Sequence, residues 1–283
     1  MVRVVVYLFD RILDLTLDTA RQLRLGMHIL NRIRADNNYD PKVNGEYWAL
    51  RELKKQVQDK DIVIVDVGAH VGDWTREAAA GLSAGSVIYG LEPTRATFAR
   101  YQEAAAASKA AAKIRPVNAA LSDRDGQGTI YVDGDLHGTN SLHEHGLPKV
   151  PGASARRPEK TETVALMRGD TLCRQQGIEH IHFLKIDVEG HEISVLRGFE
   201  EMLSGKKIDY IQFEYFHGWI DAGHFLREPF ELLLKKGYVV GKLAGDRLLF
   251  LDGYDKSYEK FEYANYFAIR SPELGALWPA RRI

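Results

Sequence analysis

One stretch constrains the fold more than any other: residues 62–75, which read IVIVDVGAHVGDWT. It begins with consecutive β-branched residues, a pattern typical of a strand buried on both faces of a parallel sheet. A tight turn with Gly68 and Gly72 follows, and residues 74–82 have the pattern of a helix. Such a unit directs backbone N–H groups and the positive helix end toward an anion above the strand tip. The stretch therefore predicts an α/β domain with a ligand-binding turn after a central strand.

A carboxylate follows the next predicted strand. The apolar run VIYGL at residues 87–91 is followed by Glu92, twenty residues after Gly72. In a doubly wound sheet this position brings a carboxylate against ribose hydroxyls. The sequence therefore predicts a cofactor that contains a nucleoside.

The spacing of the glycines indicates which cofactor. A dinucleotide fingerprint is G-x-G-x-x-G, whose glycines let the backbone approach a pyrophosphate. Here the turn is Asp66-x-Gly68-x-His70-x-Gly72, so the second glycine is missing and His70 would obstruct a pyrophosphate. The turn instead resembles motif I of class I methyltransferases, which favours S-adenosylmethionine over a nicotinamide dinucleotide. A structural turn that binds no ligand is the other interpretation.

Composition sets wider limits. The 283 residues suit one large α/β domain with an appendage. The net charge of −1 does not indicate a nucleic-acid partner. A single cysteine, Cys173, excludes an internal disulfide framework and agrees with a reducing cytoplasmic location.

The N-terminal residues 1–45 are predicted to be a helical extension. No apolar run reaches the eighteen or so residues of a membrane-spanning helix, and no signal-peptide cleavage pattern is present. Residues 13–33 have a loose helical period, which favours a helix packed on the domain or on a second copy of the chain. The alternative is peripheral membrane contact through residues 1–34, because this region carries Arg21, Arg24, Arg32 and Arg34.

The remaining chain alternates between helical and strand patterns. Helices are predicted at residues 46–58, 94–112, 171–176, 191–203 and 225–236. Strands are predicted at residues 114–118, 129–132, 162–167, 181–186, 208–213, 238–242, 247–251 and 266–269. The last strands have no helix between them, so we expect an antiparallel pair. Residues 133–160 lack periodicity and have the length of a lid or binding loop.

A second chemical centre is the sequence KIDVEGHE at residues 185–192. Its strand ends at Asp187, and the strand at 208–213 ends at Glu214. Parallel strands present their carboxyl ends at one edge of the sheet, where open α/β folds bind ligands. We therefore expect these carboxylates to lie near the glycine turn.

Together these motifs resemble the FkbM family of methyltransferases. The segments that carry the resemblance are residues 66–72, 92–93, 120–123, 169–172 and 185–192, with Gly198 beyond them. KIDVEGHE is the most specific of them. His70 departs from the family pattern, which more often has asparagine there, and the first forty residues lie outside the resemblance.

The resemblance implies a class I methyltransferase fold, α/β and Rossmann-like, over residues 46–283. Its sheet would be mostly parallel and seven-stranded, with an antiparallel C-terminal strand. The implied cofactor is S-adenosyl-L-methionine, whose methionine carboxylate would meet the turn amides and whose amino group would lie near Asp66. The implied cofactor-binding residues are Asp66, Gly68, Ala69, His70, Gly72, Thr75, Glu92, Pro93, Ala120, Leu121, Ser122 and Asp187.

The implied reaction is O-methylation of a hydroxyl on a sugar, glycan or natural product. A neutral hydroxyl is a weak nucleophile, so a nearby base is expected. We predict His191 as that base, with Glu189 orienting it or acting instead. The alternative is that Glu189, His191 and Glu192 form a capping cluster at a helix start and only satisfy backbone donors.

A metal ion is a further alternative. Asp187 and Glu214 could hold Mg²⁺, which would lower the pKa of the hydroxyl. Two carboxylates in a solvated cleft would look the same in sequence. His137, His143 and His145 in the predicted lid are a weaker metal candidate.

Three other functions stay open at this stage. A nicotinamide-dependent sugar oxidoreductase is disfavoured by the missing glycine, and a glycosyltransferase has only the weak D-x-D match at Asp133 and Asp135 in its favour. A non-catalytic cofactor-binding protein is disfavoured by the retained acids and histidine.

Overall fold

The computed structural model describes residues 18–132, 140–143 and 160–282, without the side chains of residues 281 and 282. Residues 1–17 lie outside this range. So do most of the predicted lid, its arginines Arg156 and Arg157, the D-x-D match, His137 and His145.

Twelve strands are present in the described part of the chain. They are β1 (Val63–Val67), β2 (Val87–Leu91), β3 (Ile114–Val117), β4 (Ala120–Ser122), β5 (Gly126–Val132), β6 (Lys160–Arg168), β7 (Ile181–Ile186), β8 (Ile208–Tyr215), β9 (Val239–Leu243), β10 (Leu248–Phe250), β11 (Ala264–Ile269) and β12 (Ala280–Arg282).

The described helices flank these strands. They are α1 (Thr19–Arg34), α2 (Glu46–Val57), α3 (Asp73–Ala79), α4 (Arg95–Ala106), α5 (Gly169–Gln176), α6 (Glu192–Gly198), α7 (Glu200–Ser204), α8 (Gly218–Ala222), α9 (Arg227–Lys235) and α10 (Pro272–Gly275), with short 3₁₀ helices at Ala111–Lys113 and Lys256–Tyr258.

The main sheet has the order β3-β2-β1-β7-β8-β11-β9-β10-β12. The five strands from β3 to β8 are parallel, and β11 runs antiparallel to both β8 and β9. This confirms the predicted class I methyltransferase fold with its antiparallel C-terminal strand. Two further strands, β10 and β12, extend the edge of the sheet beyond the predicted seven.

The strands predicted at residues 129–132 and 162–167 do not enter the main sheet. Instead β5 and β6 pair antiparallel to each other, and β4 pairs parallel to β6. The resulting small sheet stands at the carboxyl edge of the main one, because β4 begins three residues after β3 ends. Sequence pattern marks a strand but does not say which sheet it joins.

The central strand is buried on both faces, as its β-branched run predicts. Ile64, Val65 and Val67 are at most 1% exposed. Val65 and Val67 belong to one hydrophobic cluster, whereas Ile64 belongs to the other. The sheet therefore separates two apolar layers, and polar groups collect at its edge.

Two predicted helices differ from the observed ones by more than a few residues. The helix expected at residues 94–112 ends at Ala106, where the Ser108 hydroxyl accepts the N–H of Ala110 and so competes with the helix. The helix expected at residues 191–203 divides at Phe199 into α6 and α7. No helix in the described ranges is both long and apolar enough to cross a bilayer.

Candidate active site at the carboxyl edge of the sheet

A cavity of about 370 Å³ lies over the carboxyl ends of β1, β2, β7 and β8. Its wall includes both chemical centres predicted from the sequence. The predicted site residues that line it are Gly68, Ala69, His70, Glu92, Pro93, Ala120, Leu121, Asp187, Glu189 and Glu214. The predicted residues Asp66, Gly72, Thr75, Ser122 and His191 do not line it.

The turn after β1 requires its two glycines. Gly68 has φ of +83°, and a Cβ there would lie 1.8 Å from the carbonyl oxygen of Asp187. Gly72 also has φ of +83°, and its Cβ would lie 2.3 Å from the ring of Tyr101. Only glycine fits at such close approaches in the left-handed region. The turn after β1 therefore packs directly against the KIDVEGHE turn after β7.

His70 occupies the left-handed region, with φ of +50°. Asparagine, aspartate and histidine tolerate this region better than other side chains. The geometry accounts for the asparagine usual in the family and for histidine as an acceptable replacement. The His70 side chain lines the cavity between Glu92 and Asp187.

The expected anion donors of the turn are already used inside the protein. The N–H groups of Gly68 and Ala69 donate to the carbonyl oxygen of Leu91, at 3.0 and 2.8 Å. The N–H of Gly72 donates to the carbonyl of Ala69 at 2.8 Å. These three amides are thus used within the protein, and contact between the turn amides and the methionine carboxylate stays a prediction.

Asp66 lies behind the turn and does not face the cavity. It is fully buried, and the Thr75 hydroxyl donates to its Oδ2 at 2.5 Å. Its Oδ1 has no hydrogen-bond partner within the described structure. Burial raises the pKa of Asp66 to about 6. Asp66 and Thr75 thus support the turn from below, and a place for the amino group near Asp66 stays a prediction.

Glu92 stands in the cavity wall and is held in place by three donors. The backbone N–H and hydroxyl of Thr94 donate to its Oε1 at 3.0 and 2.6 Å, and the amide of His70 also donates to the carboxylate. Glu92 is 6% exposed, and burial raises its pKa above the ordinary value. A rigid carboxylate at this place suits recognition of ligand hydroxyls.

The carboxylates of Asp187, Glu189 and Glu214 meet on the other side of the cavity, and we call these three residues with Lys185 the carboxylate cluster. The carboxylate oxygens of the three acids lie within 4.8 Å of one another. Lys185 donates from Nζ to Oδ2 of Asp187 at 2.6 Å, and its side chain is 5% exposed. One buried ammonium therefore compensates for several carboxylates.

The three carboxyl groups of this cluster have different protonation. Although burial opposes it, the charge and hydrogen bond of Lys185 lower the pKa of Asp187 below its ordinary value. Burial and the charge of Asp187 raise the pKa of Glu214 well above normal, and the two side chains share a hydrogen bond. Burial, then the charges of Asp187 and Glu192, raises the pKa of Glu189. These shifts favour an ionised Asp187, with Glu214 as the donor in the hydrogen bond that they share.

His191 points away from the cavity into a group of histidines, and we call His143, His191 and His224 the histidine cluster. Nε2 of His191 lies 3.0 Å from the hydroxyl of Ser122, and its Nδ1 lies 3.0 Å from Nε2 of His143. The rings of His143 and His224 are 6.1 Å apart. Burial, reinforced by the charge of His143, lowers the pKa of His191 to about 3. The predicted base is therefore a buried, neutral imidazole outside the cavity.

Glu192 fits the capping interpretation that the sequence left open. Its Oε1 accepts the N–H groups of Val188 and Gly190, at 3.1 and 3.3 Å. It is fully buried, and burial raises its pKa to about 8. Glu192 closes the turn, whereas Glu189, at φ of +55°, is turned into the cavity.

A model of the methyltransferase FkbM domain matches residues 66–240, which is more than half of the 283-residue chain. The chain belongs to the FkbM methyltransferase family.

A curated relative of this FkbM methyltransferase is the hexuronic acid methyltransferase AglP from Haloferax volcanii. The two are 26% identical over 161 residues, which is 57% of this chain and 59% of AglP. The match thus spans less than two thirds of the relative.

Among solved structures, an O-methyltransferase from Bacillus cereus in complex with SAH is similar at 12% identity. The match covers 92% of this chain and 95% of that one, with a TM-score of 0.42. The O-methyltransferase TomG from Streptomyces achromogenes, in complex with SAM, matches at 9% identity over 80% of this chain and 79% of that one, also with a TM-score of 0.42.

Some wall residues of this FkbM methyltransferase were missed from sequence. Tyr39 and Glu46 line the cavity although they lie in or next to the predicted N-terminal extension. Tyr263, which directly precedes β11, lines it too. The hydroxyl of Tyr263 and the amide of Asn44 both donate to Oε1 of Glu46, at 3.4 and 2.7 Å. No motif marks these residues. Lys185 was also missed as a site residue, although it belongs to the KIDVEGHE motif. Its buried charge distinguishes it from an ordinary strand residue.

Proposed function

We propose that this chain is an O-methyltransferase that transfers the methyl group of S-adenosylmethionine to a hydroxyl of a sugar, glycan or natural product. One observation carries the proposal. The same cavity holds Glu92, suited to ribose hydroxyls, and the carboxylate of Glu189, suited to an acceptor hydroxyl. That both residues line one cavity supports an aligned displacement at the sulfonium methyl.

The donor half of the cavity suits a nucleoside. The volume of about 370 Å³ lies in the usual range of roughly 300–1,000 Å³ for small-molecule sites. Ala120, Leu121 and Ile130 give this half an apolar wall for a purine ring, beside Glu92. S-adenosylmethionine would supply an activated methyl group there.

Glu189 is the best placed base. Asp187 is weakly basic because Lys185 holds it ionised, and Glu214 already donates its proton to Asp187. The Glu189 carboxylate lines the cavity and has no hydrogen-bond partner in the described part of the chain. Burial raises its pKa, which lowers the ionised fraction but makes that ionised form the stronger base. We propose that Glu189 removes the hydroxyl proton during transfer.

Lys185 fills the electrostatic role that a metal ion would otherwise have. Three carboxylates within 4.8 Å resemble a Mg²⁺ site. However, the ammonium of Lys185 already lies 2.6 Å from Asp187. Its positive charge compensates part of the negative carboxylate charge that would otherwise attract a metal cation. We therefore propose that transfer proceeds with Lys185 as the permanent counter-ion.

The acceptor side suits a sugar. AglP is named for a hexuronic acid, and the wall of this cavity combines carboxylates with Tyr39, Tyr47 and Tyr263. The rings of Tyr39 and Tyr263 lie 4.2 Å apart, and Tyr39 is 62% exposed. Aromatic faces with polar tips suit a ligand that is apolar on its ring faces and polar at its edge.

The test is methyl transfer from labelled S-adenosylmethionine to a panel of glycans with and without hexuronic acids. We expect label in a product that survives mild alkali, because methyl ethers survive and methyl esters are cleaved. Label only in alkali-labile or nitrogen-linked products would contradict O-methylation of a hydroxyl. Titration with S-adenosylhomocysteine and with NAD separates the rival functions, since tight binding of NAD alone would overturn the cofactor assignment.

A further inference from the structure

Helix α1 carries no acidic residue over its sixteen positions, TARQLRLGMHILNRIR. Four arginines and His28 are its only ionisable side chains. None of its side chains is buried, so the helix is solvated on every side within the described structure. A helix of this length in isolation is only marginally stable in water, which makes a binding surface the usual source of its stability.

The helix has two opposite faces. At 100° per residue, most of the large apolar side chains fall on one half of the helix surface. They are Leu23, Met27, Ile29, Leu30 and Ile33, with exposed fractions of 66, 41, 43, 42 and 69%. Arg21, Arg24, His28 and Arg32 fall on the other half together with Leu25, whereas Arg34 lies within the apolar half. This is the pattern of a helix that lies in a membrane interface.

A basic groove of about 980 Å³ adjoins the C-terminal half of α1. Its cations come from α1 and from the sheet edge: Arg32, Arg34, Lys242, Arg247 and Lys260. In the described lining the acidic residue is Asp36, which is ion-paired with Lys242.

Of the other cations of this groove, Arg247 is ion-paired with Asp246 and three are poorly compensated. Arg32, Arg34 and Lys260 have no carboxylate within 4.0 Å among the described residues. Burial lowers the pKa of Lys242, and the charges of Lys260 and Arg34 add to this shift although Asp36 opposes it. Positive charge is therefore concentrated on this side of the molecule, while the whole chain has a net charge of only −1.

We propose that α1 docks this protein on an anionic membrane surface. The apolar half would enter the boundary between headgroups and acyl chains, and the arginines would meet anionic headgroups. Pairing of α1 with a second copy would bury the apolar half but would bring two acid-free, basic helices together. An anionic surface complements both halves, so it is the occupant that the charges favour. This inference is independent of the proposed reaction.

The test is sedimentation of the full chain with vesicles of phosphatidylcholine alone and with 30 mol% phosphatidylglycerol, the mixture serving as the anionic probe. We expect binding to the anionic vesicles only, and loss of that binding in high salt. Leu30→Glu with Ile33→Glu, and separately Arg24→Glu with Arg32→Glu, should each reduce the bound fraction at least tenfold. The matched controls are Ile220→Glu for the apolar change and Arg100→Glu with Lys109→Glu for the charge change, all at exposed positions away from α1.

Other outcomes would overturn the proposal. Equal binding to both vesicle types, or wild-type binding by both α1 variants, would show that this helix does not recognise an anionic surface. A dimer in analytical ultracentrifugation that Leu30→Glu with Ile33→Glu dissociates, without vesicle binding by the wild type, would assign the helix to a second copy. Unchanged affinity for S-adenosylhomocysteine in each variant verifies that the fold is intact.

Discussion

The turn from Asp187 to Glu192 separates two groups of titratable residues that differ in almost every respect. The carboxylate cluster lies on one side and lines the cavity. The histidine cluster lies on the other side, where its members contact Ser122, Glu228 and one another. Within six residues of sequence, the chain thus places one candidate base in the site and another outside it.

Burial acts on the two clusters in opposite directions. It raises the pKa of Glu189 and Glu214, which favours their protonated forms, and it lowers the pKa of His191, which favours the neutral ring. In both cases the uncharged form is preferred, as expected for groups removed from water. An ordinary pKa near neutrality therefore does not identify a base. What identifies it is whether its side chain is directed into the cavity.

The largest effect is expected when the carboxylate cluster loses its cation. Lys185→Met leaves Asp187 and Asp66 without their nearest positive charge, and breaking a buried ion pair costs about 3–5 kcal/mol. Urea unfolding monitored by circular dichroism measures this loss. Lys55→Met is the control, because Lys55 is 70% exposed in a surface pair with Glu52. Equal stability of the two variants would contradict a role for Lys185 as the main counter-ion of the carboxylate cluster.

Glu92→Ala should weaken binding of S-adenosylhomocysteine next most. Loss of a charge-assisted hydrogen bond to ribose costs about 1.5–3 kcal/mol, or roughly ten- to more than a hundredfold in Kd. Isothermal titration calorimetry gives the value, with the exposed Glu103→Ala on α4 as the matched control. If Glu92→Ala folds normally and binds as the wild type does, Glu92 does not recognise the ribose.

The histidine cluster should make stability depend on pH. The unfolded chain protonates His191 near its ordinary pKa of 6.5, whereas the folded protein does so only near about 3. Between these values the unfolded state binds more protons, so the contribution of His191 to stability falls as the pH falls, by up to about 1.4 kcal/mol per unit. Buried carboxyl groups with a raised pKa, such as Asp66 and Glu192, act in the opposite direction. The contribution of His191 is therefore read as a difference: between pH 7 and pH 5 the stability of the wild type should fall relative to that of His191→Asn. The exposed His28→Asn should keep the wild-type slope. The same slope in His191→Asn and the wild type would contradict a buried, neutral His191.

The smallest effect is expected from metal removal. Because Lys185 already balances the carboxylates, dialysis against a chelator should leave the turnover rate unchanged within error. Loss of activity that Mg²⁺ restores would assign the cation role to a metal instead.

Sequence predicted the main sheet and both ends of the cavity, because periodicity and glycine spacing determine them. Gly68 and Glu92 directly follow the paired parallel strands β1 and β2 and line the cavity at the carboxyl edge, as the doubly wound pattern predicts. The direction of each side chain in the turn after β7 was not predictable. It depends on the left-handed conformation of Glu189 and on the Glu192 cap, in a turn that packs against Gly68 after β1 and against Gly218 of α8. Tyr39 and Tyr263 reach the cavity through contacts between residues more than two hundred positions apart, which local patterns do not record.

The central claim is that the carboxylate cluster performs the proton transfer and the histidine cluster does not. The most direct measurement is the single-turnover rate of methyl transfer in Glu189→Gln and in His191→Asn, both saturated with S-adenosylmethionine. Loss of a general base lowers the rate by roughly 10²–10⁴-fold. We predict a loss of that size for Glu189→Gln, with unchanged cofactor affinity, and a change of less than tenfold for His191→Asn. A large loss in His191→Asn together with a near-normal rate in Glu189→Gln would contradict the account.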